Sequence, residues 1–189
     1  MGGPSRWFDA LLRPSRSSGD PDADGADHGS DTVWARYRPR LVAQLMTDNA
    51  AACADMRRLL DACRNHDMDA QIEQLGAFAD AFRRIGLQKA VQFYPYLRWA
   101  TARDRVARAQ FASLFAEVER ESLAIEALLT EYLSAPWNRD HRQRIVTDII
   151  KIAGHLSRLL RKEEGSLYPL YLPPGQYRHV GASPATDGG

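Results

Sequence analysis

Two stretches of the chain repeat one pattern of residue types. Ile85-Gly-Leu-Gln-Lys89 precedes Phe93-Tyr94-Pro95, and Leu159-Leu-Arg-Lys-Glu163-Glu164 precedes Leu167-Tyr168-Pro169. Each reads as a helical stretch with an aromatic-Pro stop, and each holds an apolar residue one helical turn before a charged one. Lys89 and Glu163 therefore occupy matching positions, where an ammonium and a carboxylate can pair across a helical interior. The other reading of Lys89 is a side chain that snorkels from the helix surface with its charge in water. Metal binding is the second chemistry open to these residues. His155, Glu163, Asp48 and Glu164 together offer imidazole and carboxylate ligands for a single iron or zinc ion. Against that, a lone His beside an apolar stripe is also a hydrogen-bonded residue at the core edge. Glu163-Glu164 beside Arg161 and Lys162 likewise reads as a solvated helix end with ion pairs, and Asp48 and Asn49 as structural polar groups.

Other catalytic signatures are missing from the sequence. It has no Gly-rich phosphate loop, no nucleophile elbow and no Cys-His metal spacing, so no enzyme activity is expected. Of the five His, His28 and His179 fall in polar end segments, His66 and His141 at helix ends or turns, and only His155 within a helix. The most basic stretch runs from Arg98 through Arg103 and Arg105 to Arg108, and reads as a solvated helix start. With a formal net charge of +1 and a pI near 7.8, the chain has no global bias toward nucleic acid or an anionic membrane, and neither is expected as a partner.

The elements that must position these groups follow from hydrophobic spacing. In 189 residues, 44% of them hydrophobic, there is material for one domain with a sizeable core. Residues 1–31 are rich in Gly, Pro, Ser and Asp, with Asp20, Asp22, Asp24, Asp27 and Asp31 close together, and are expected to be a disordered acidic tail. Residues 173–189 revert to Pro, Gly, Ser and Asp and are expected to be a disordered tail. Between them, residues 32–172 show helical periodicity and almost no strand alternation.

Four helices are expected there. The first runs from about Pro39 to Asn65 with Leu41, Leu45, Ala52, Met56, Leu59 and Cys63 on one face. The second starts after Asp69 as N-cap, carries Ile72, Leu75, Phe78 or Ala79, Phe82 and Ile85, and runs toward Pro95, with a kink or break at Tyr94. The third spans about Thr101 to Ser134 with Val106, Phe111, Leu114, Val118, Ile125, Leu128 and Tyr132. The fourth begins near Asn138 and has the cleanest stripe, Ile145, Ile149, Ile152, Leu156, Leu159 and then Glu163. Joined by short connections, such helices form an all-α, antiparallel up-down-up-down four-helix bundle.

The run from Leu41 to Leu172 resembles the hemerythrin-like family of bacterial four-helix bundles. The resemblance lies in the helix lengths, in Asp48-Asn49 where the family often writes Asp-His, and in the repeated aromatic-Pro ends of helices two and four. It implies the same bundle topology and, for ordinary members, a di-iron centre. The family's first-helix His falls on Asn49, its second-helix His and Glu on Ile85 and Lys89, and its fourth-helix His and Glu on Leu159 and Glu163. The family also expects a His in helix three, whereas no His occurs between His66 and His141. Only Glu163 keeps its ligand type, so the resemblance implies a retained fold, no bound metal or other cofactor, and an interior packed by Ile85 and Leu159.

The positive suggestion is interaction. Arg6-Trp7-Phe8-Asp9-Ala10-Leu11-Leu12-Arg13 gathers Trp7, Phe8, Leu11 and Leu12 on one side if it becomes a short helix, fit for a groove on a partner or on its own bundle. An exposed aromatic patch near Phe93, Tyr94, Tyr96 and Trp99 is a second candidate surface. Cys53 and Cys63, about 15 Å apart along one helix, cannot pair with each other. Free thiols, no apolar run of roughly 18 to 20 residues and no signal-peptide pattern around Trp7 lead to a cytoplasmic expectation. The function expected is a non-catalytic regulatory or scaffolding module with an unknown protein partner and room for homo-oligomers. The alternative is a residual metal-binding or oxygen- or redox-sensing protein.

Overall fold

The computed structural model describes residues 36–134, 136–137, 139–174 and 176, and these form an all-helical structure with no strand among them. Helix α1 is Leu41–Arg64 and α2 is Met68–Gln88. A π turn, Lys89–Phe93, carries α2 into the short α3, Tyr94–Thr101. Helix α4 is Arg105–Leu133 and α5 is Arg139–Lys162, which passes into a second π turn, Glu163–Leu167, and a 3₁₀ turn, Tyr168–Leu170.

The buried faces follow the spacing of the apolar residues. In α1, Leu41, Leu45, Asn49, Ala52, Met56, Leu59 and Cys63 recur at steps of three and four and are buried. In α5, Ile145, Ile149, Ile152, Leu156 and Leu159 do the same. Each fully buried Leu or Ile side chain is worth about 1.5 to 3 kcal/mol, so these two stripes and their counterparts on α2 and α4 supply most of the driving force. Helix α1 packs chiefly on α2, and α4 chiefly on α5, whereas α2 and α4 approach each other at few places. The α1–α2 turn is closed by backbone bonds from His66 N–H to the Cys63 carbonyl and from Asp67 N–H to the Ala62 carbonyl, with His66 at a left-handed φ of 54°. At one end of the bundle, Tyr171 packs against Tyr37, Phe93 and Tyr96 at ring separations of 4.7 to 5.5 Å.

Several expected details are corrected. The N-cap of α2 is Asp67 and not Asp69, because the turn delivers Asp67 in an extended conformation with its carboxylate accepting from Ala70 N–H at 3.0 Å. The third expected helix is one continuous helix but starts later than Thr101: Thr101 ends α3, and Asp104 opens α4 by accepting from Val106 and Ala107 N–H. Tyr94, expected to be driven from helical dihedrals by Pro95, keeps φ −67° and ψ −38°, since the widened π turn relieves the clash that a proline ring makes with a regular helix. Ile72 and Val106, assigned to buried stripes, are 44% and 77% exposed. The aromatic patch is also not a surface, for Phe93, Tyr94 and Tyr96 are buried and only Trp99 is substantially exposed. Cys53 and Cys63 are both free thiols. The expectations for residues 1–31, and for 177–189 within the C-terminal segment, lie outside the described residues.

Candidate functional site

The two π turns bring the repeated sequence pattern together. In each, a tyrosine N–H bonds five residues back, Tyr94 to the Lys89 carbonyl and Tyr168 to the Glu163 carbonyl. A proline follows each tyrosine. The additional residue in the turn shifts the side-chain register, so that the charged residue opening the turn and the tyrosine closing it both point inward. Lys89, Glu163, Tyr94 and Tyr168 are all buried.

Their contacts form one network. Lys89 Nζ donates to Glu163 Oε2 at 2.5 Å and to Asn49 Oδ1 at 3.2 Å. Tyr94 Oη donates to Glu163 Oε1 at 2.9 Å, so both oxygens of that carboxylate are satisfied. Asn49 Nδ2 donates to Tyr168 Oη at 3.0 Å and to Glu164 Oε1 at 3.2 Å. Lys89 is 5% exposed and Glu163 1%. At that burial an ion pair is retained only with good geometry and further hydrogen bonds, and the network supplies both. Burial, with the Glu163 charge and hydrogen bond beside it, pushes the Tyr94 hydroxyl well above the ordinary phenol range. Burial and the same carboxylate raise Tyr168 too. Both phenols are thus held neutral, Tyr94 donating to Glu163 and Tyr168 accepting from Asn49.

Above the network lies a mostly apolar cavity of about 30 Å³, walled by Phe82, Ile85, Gly86, Leu156, Leu159 and Leu160, with Asn49, Lys89, Tyr94 and Glu163 also lining it. Arg83 and Glu126 also line the cavity, joined through Glu126 Oε1 to Arg83 Nη2 at 2.6 Å and Nε at 2.9 Å. Glu126 is largely buried, while Arg83 is 43% exposed. Ile85 and Leu159 pack the interior beside Lys89 and Glu163.

The structure separates the four residues considered as metal ligands. Glu163 is engaged by Lys89 and Tyr94, while the exposed Glu164 reaches Asn49. Asp48 accepts from Gln44 on the surface. His155 Nδ1 lies 2.7 Å from Glu121 Oε2, on the α4–α5 face, with Arg158 against both. Burial would raise the Glu121 carboxyl, but the hydrogen bonds from His155 and Arg158 outweigh it and hold the group below the usual range. Among the described residues no three His, Cys, Asp or Glu side chains converge as a metal site would require. Trp7, Phe8, Leu11 and Leu12 lie outside the described residues.

Some buried polar groups escape the sequence reading. Asp148 interrupts the isoleucine stripe of α5 and accepts from Tyr132 Oη and Lys151 Nζ, each at 2.7 Å. Glu126 follows the buried Ile125 in the same way. A carboxylate set on an apolar face is the signal that marks both. No helix among the described residues is long and apolar enough to cross a membrane. Comparison with family models, with curated proteins and with solved structures found no match to this chain.

Proposed function

We propose that this chain is a hemerythrin-like bundle whose di-iron site has been replaced by an ion pair, and that it works as a non-catalytic regulatory or scaffolding module for a protein partner in the cytoplasm. The observation that carries the reading is the Lys89–Glu163 contact at 2.5 Å. An ammonium occupies the position of a family carboxylate ligand and neutralises the one carboxylate that keeps its ligand type. The residues at the remaining family positions, Asn49, Ile85 and Leu159, offer an amide and two hydrocarbons, a set that does not fit a di-iron centre. A metal cation would also have to displace a lysine from a carboxylate whose other oxygen is held by Tyr94.

The antiparallel up-down-up-down arrangement belongs to the same proposal. Short connections between α1 and α2, and between α3 and α4, support it. So does the order of ion pairs between α4 and α5: Glu117 with Lys162, Glu121 with Arg158, and Glu131 with Arg144, rising along one helix as they fall along the other.

The test is the metal content of the natively purified protein by elemental analysis, with a visible spectrum scanned for oxo-bridged iron bands. Far less than one metal per chain is expected. Stoichiometric iron or zinc would overturn the proposal and favour a metal-binding or redox-sensing protein.

A further inference from the structure

The cavity above the Lys89–Glu163 pair has the composition of a ligand site rather than of a packing defect. Its walls are mostly hydrocarbon, interrupted by the Arg83–Glu126 pair, and its floor is a set of buried polar groups, the combination that small-molecule sites share. All four long helices line it, and it falls where α2 and α4, which approach each other at few places, leave room. Gly86 and Ser122 line it from those two helices. A glycine inside a helix is unfavourable relative to alanine, and here it leaves the cavity wall without a side chain.

The polar floor selects the ligand. The Lys89 ammonium carries three protons, and among the described residues it has two acceptors, Glu163 Oε2 and Asn49 Oδ1. Its third proton is open to an acceptor oxygen in the cavity that Lys89 lines, and a bound oxygen there would complete its hydrogen bonding. A pure hydrocarbon does not meet that need. Charge then decides between oxygen types. The Lys89 charge is already matched by Glu163 and that of Arg83 by Glu126, and the Glu164 carboxylate stands 3.2 Å from Asn49, so a ligand carboxylate would add an unpaired buried anion.

Size sets the last limit. A water needs about 10 to 15 Å³ of such volume, and the cavity has about 30 Å³, room for a few heavy atoms. We infer that this cavity binds a short neutral organic molecule with one acceptor oxygen, a small alcohol, aldehyde or ketone, whose oxygen bonds to Lys89 and whose carbons lie against Ile85, Leu156 and Leu159.

Acetone is the probe, titrated into the full ¹⁵N-labelled chain and followed by amide chemical shifts, with acetate in a parallel titration. Saturable shifts clustered at Gly86, Lys89, Ser122 and Leu159 are expected for acetone, with a dissociation constant on the order of 1 to 10 mM, the range for so few heavy atoms. Acetate is expected to give no saturable shifts there. Gly86→Leu and Ser122→Leu, each filling the cavity from a different helix, are expected to weaken acetone binding at least tenfold (about 1.4 kcal/mol) with helical circular dichroism retained. Linear, scattered shifts with acetone on the wild-type chain would overturn the inference, whatever the variants do. Acetate saturating at the same residues would overturn the choice of a neutral ligand. Either variant, folded and binding acetone as the wild type does, would place the binding elsewhere.

Discussion

Lys89 and Glu163 each open a π turn, each stand six residues before a proline, and meet at 2.5 Å in the interior. Two copies of one local device, set 74 residues apart, thus deliver opposite charges to one point. Neither charge could be buried there alone. The device also fixes what surrounds the pair, since the tyrosine closing the first turn donates to Glu163 and the tyrosine closing the second accepts from Asn49. A carboxylate and an ammonium that would otherwise need water are held by partners whose positions the two turns determine.

Removing one partner tests that mutual dependence. Lys89→Met leaves Glu163 as an uncompensated buried carboxylate and is expected to destabilise the fold by about 3 to 5 kcal/mol. Lys89→Met with Glu163→Leu removes both charges and is expected to recover most of that loss. Urea unfolding of the wild type, the single variant and the double variant measures the coupling directly. A double variant no more stable than the single one would show that the two residues do not act as a pair.

Beside Tyr132, Tyr168 and Tyr171, whose hydroxyls burial also raises, Tyr94 contributes to the alkaline limb of the stability profile. Its hydroxyl is pushed well up by burial and by Glu163, so the folded state keeps a proton that the unfolded chain releases near pH 10. A raised folded value means stability that is complete below the unfolded value and is lost as pH climbs above it, at about 1.4 kcal/mol per pH unit for one such group. Tyr94→Phe removes its share of this dependence. Its urea midpoint is expected to lie below that of the wild type at pH 8 and to fall less steeply between about pH 10 and 11. Parallel midpoint curves for the two proteins would contradict the assignment.

Like Glu121, Asp148 contributes to the acid limb. Burial would raise its carboxyl, but the hydrogen bonds from Lys151 and Tyr132 outweigh that and hold it below the usual range. A depressed folded value contributes stability that is present above the unfolded value, about 4, and is lost as pH falls through the folded one. Asp148→Asn is expected to be less stable than the wild type near neutral pH, with the gap closing as the solution is acidified. Midpoints measured from neutral pH downward would show it, and a gap independent of pH would count against it.

What the sequence makes legible depends on how local each determinant is. The α5 stripe can be read because Ile145, Ile149, Ile152, Leu156 and Leu159 report one helix and one face. The Lys89–Glu163 pairing can be read because the two phrases containing them match. The π turns cannot, since the added residue changes backbone register without requiring any particular residue type, and for that reason Phe93, Tyr94 and Tyr96 read as a surface patch when they are core. His155 finds its partner in Glu121, 34 residues away on a different helix, so no spacing within α5 reveals it. Ile72 and Val106 keep the helical period but lie within the first two turns of α2 and α4, where period alone does not say whether a facing helix covers them.

His66 marks a position where the sequence departs from the residue its backbone favours. Asn65 caps α1, and the two bonds from His66 N–H to Cys63 and from Asp67 N–H to Ala62 are those of a Schellman motif, in which the residue after the cap is left-handed and is usually glycine. A side chain in that conformation costs about 1 to 2 kcal/mol. Glycine removes the clash but gives the unfolded chain more freedom, which offsets about 0.5 to 1 kcal/mol. His66→Gly is therefore expected to stabilise the fold by about 0.5 to 1 kcal/mol, raising the melting temperature by about 1 to 4 °C for a chain of this size. His66→Val introduces a β-branched residue that tolerates positive φ least, and is expected to destabilise it. Thermal melts of the two variants beside the wild type decide the matter, because a motif that governs the α1–α2 turn must move them in opposite directions.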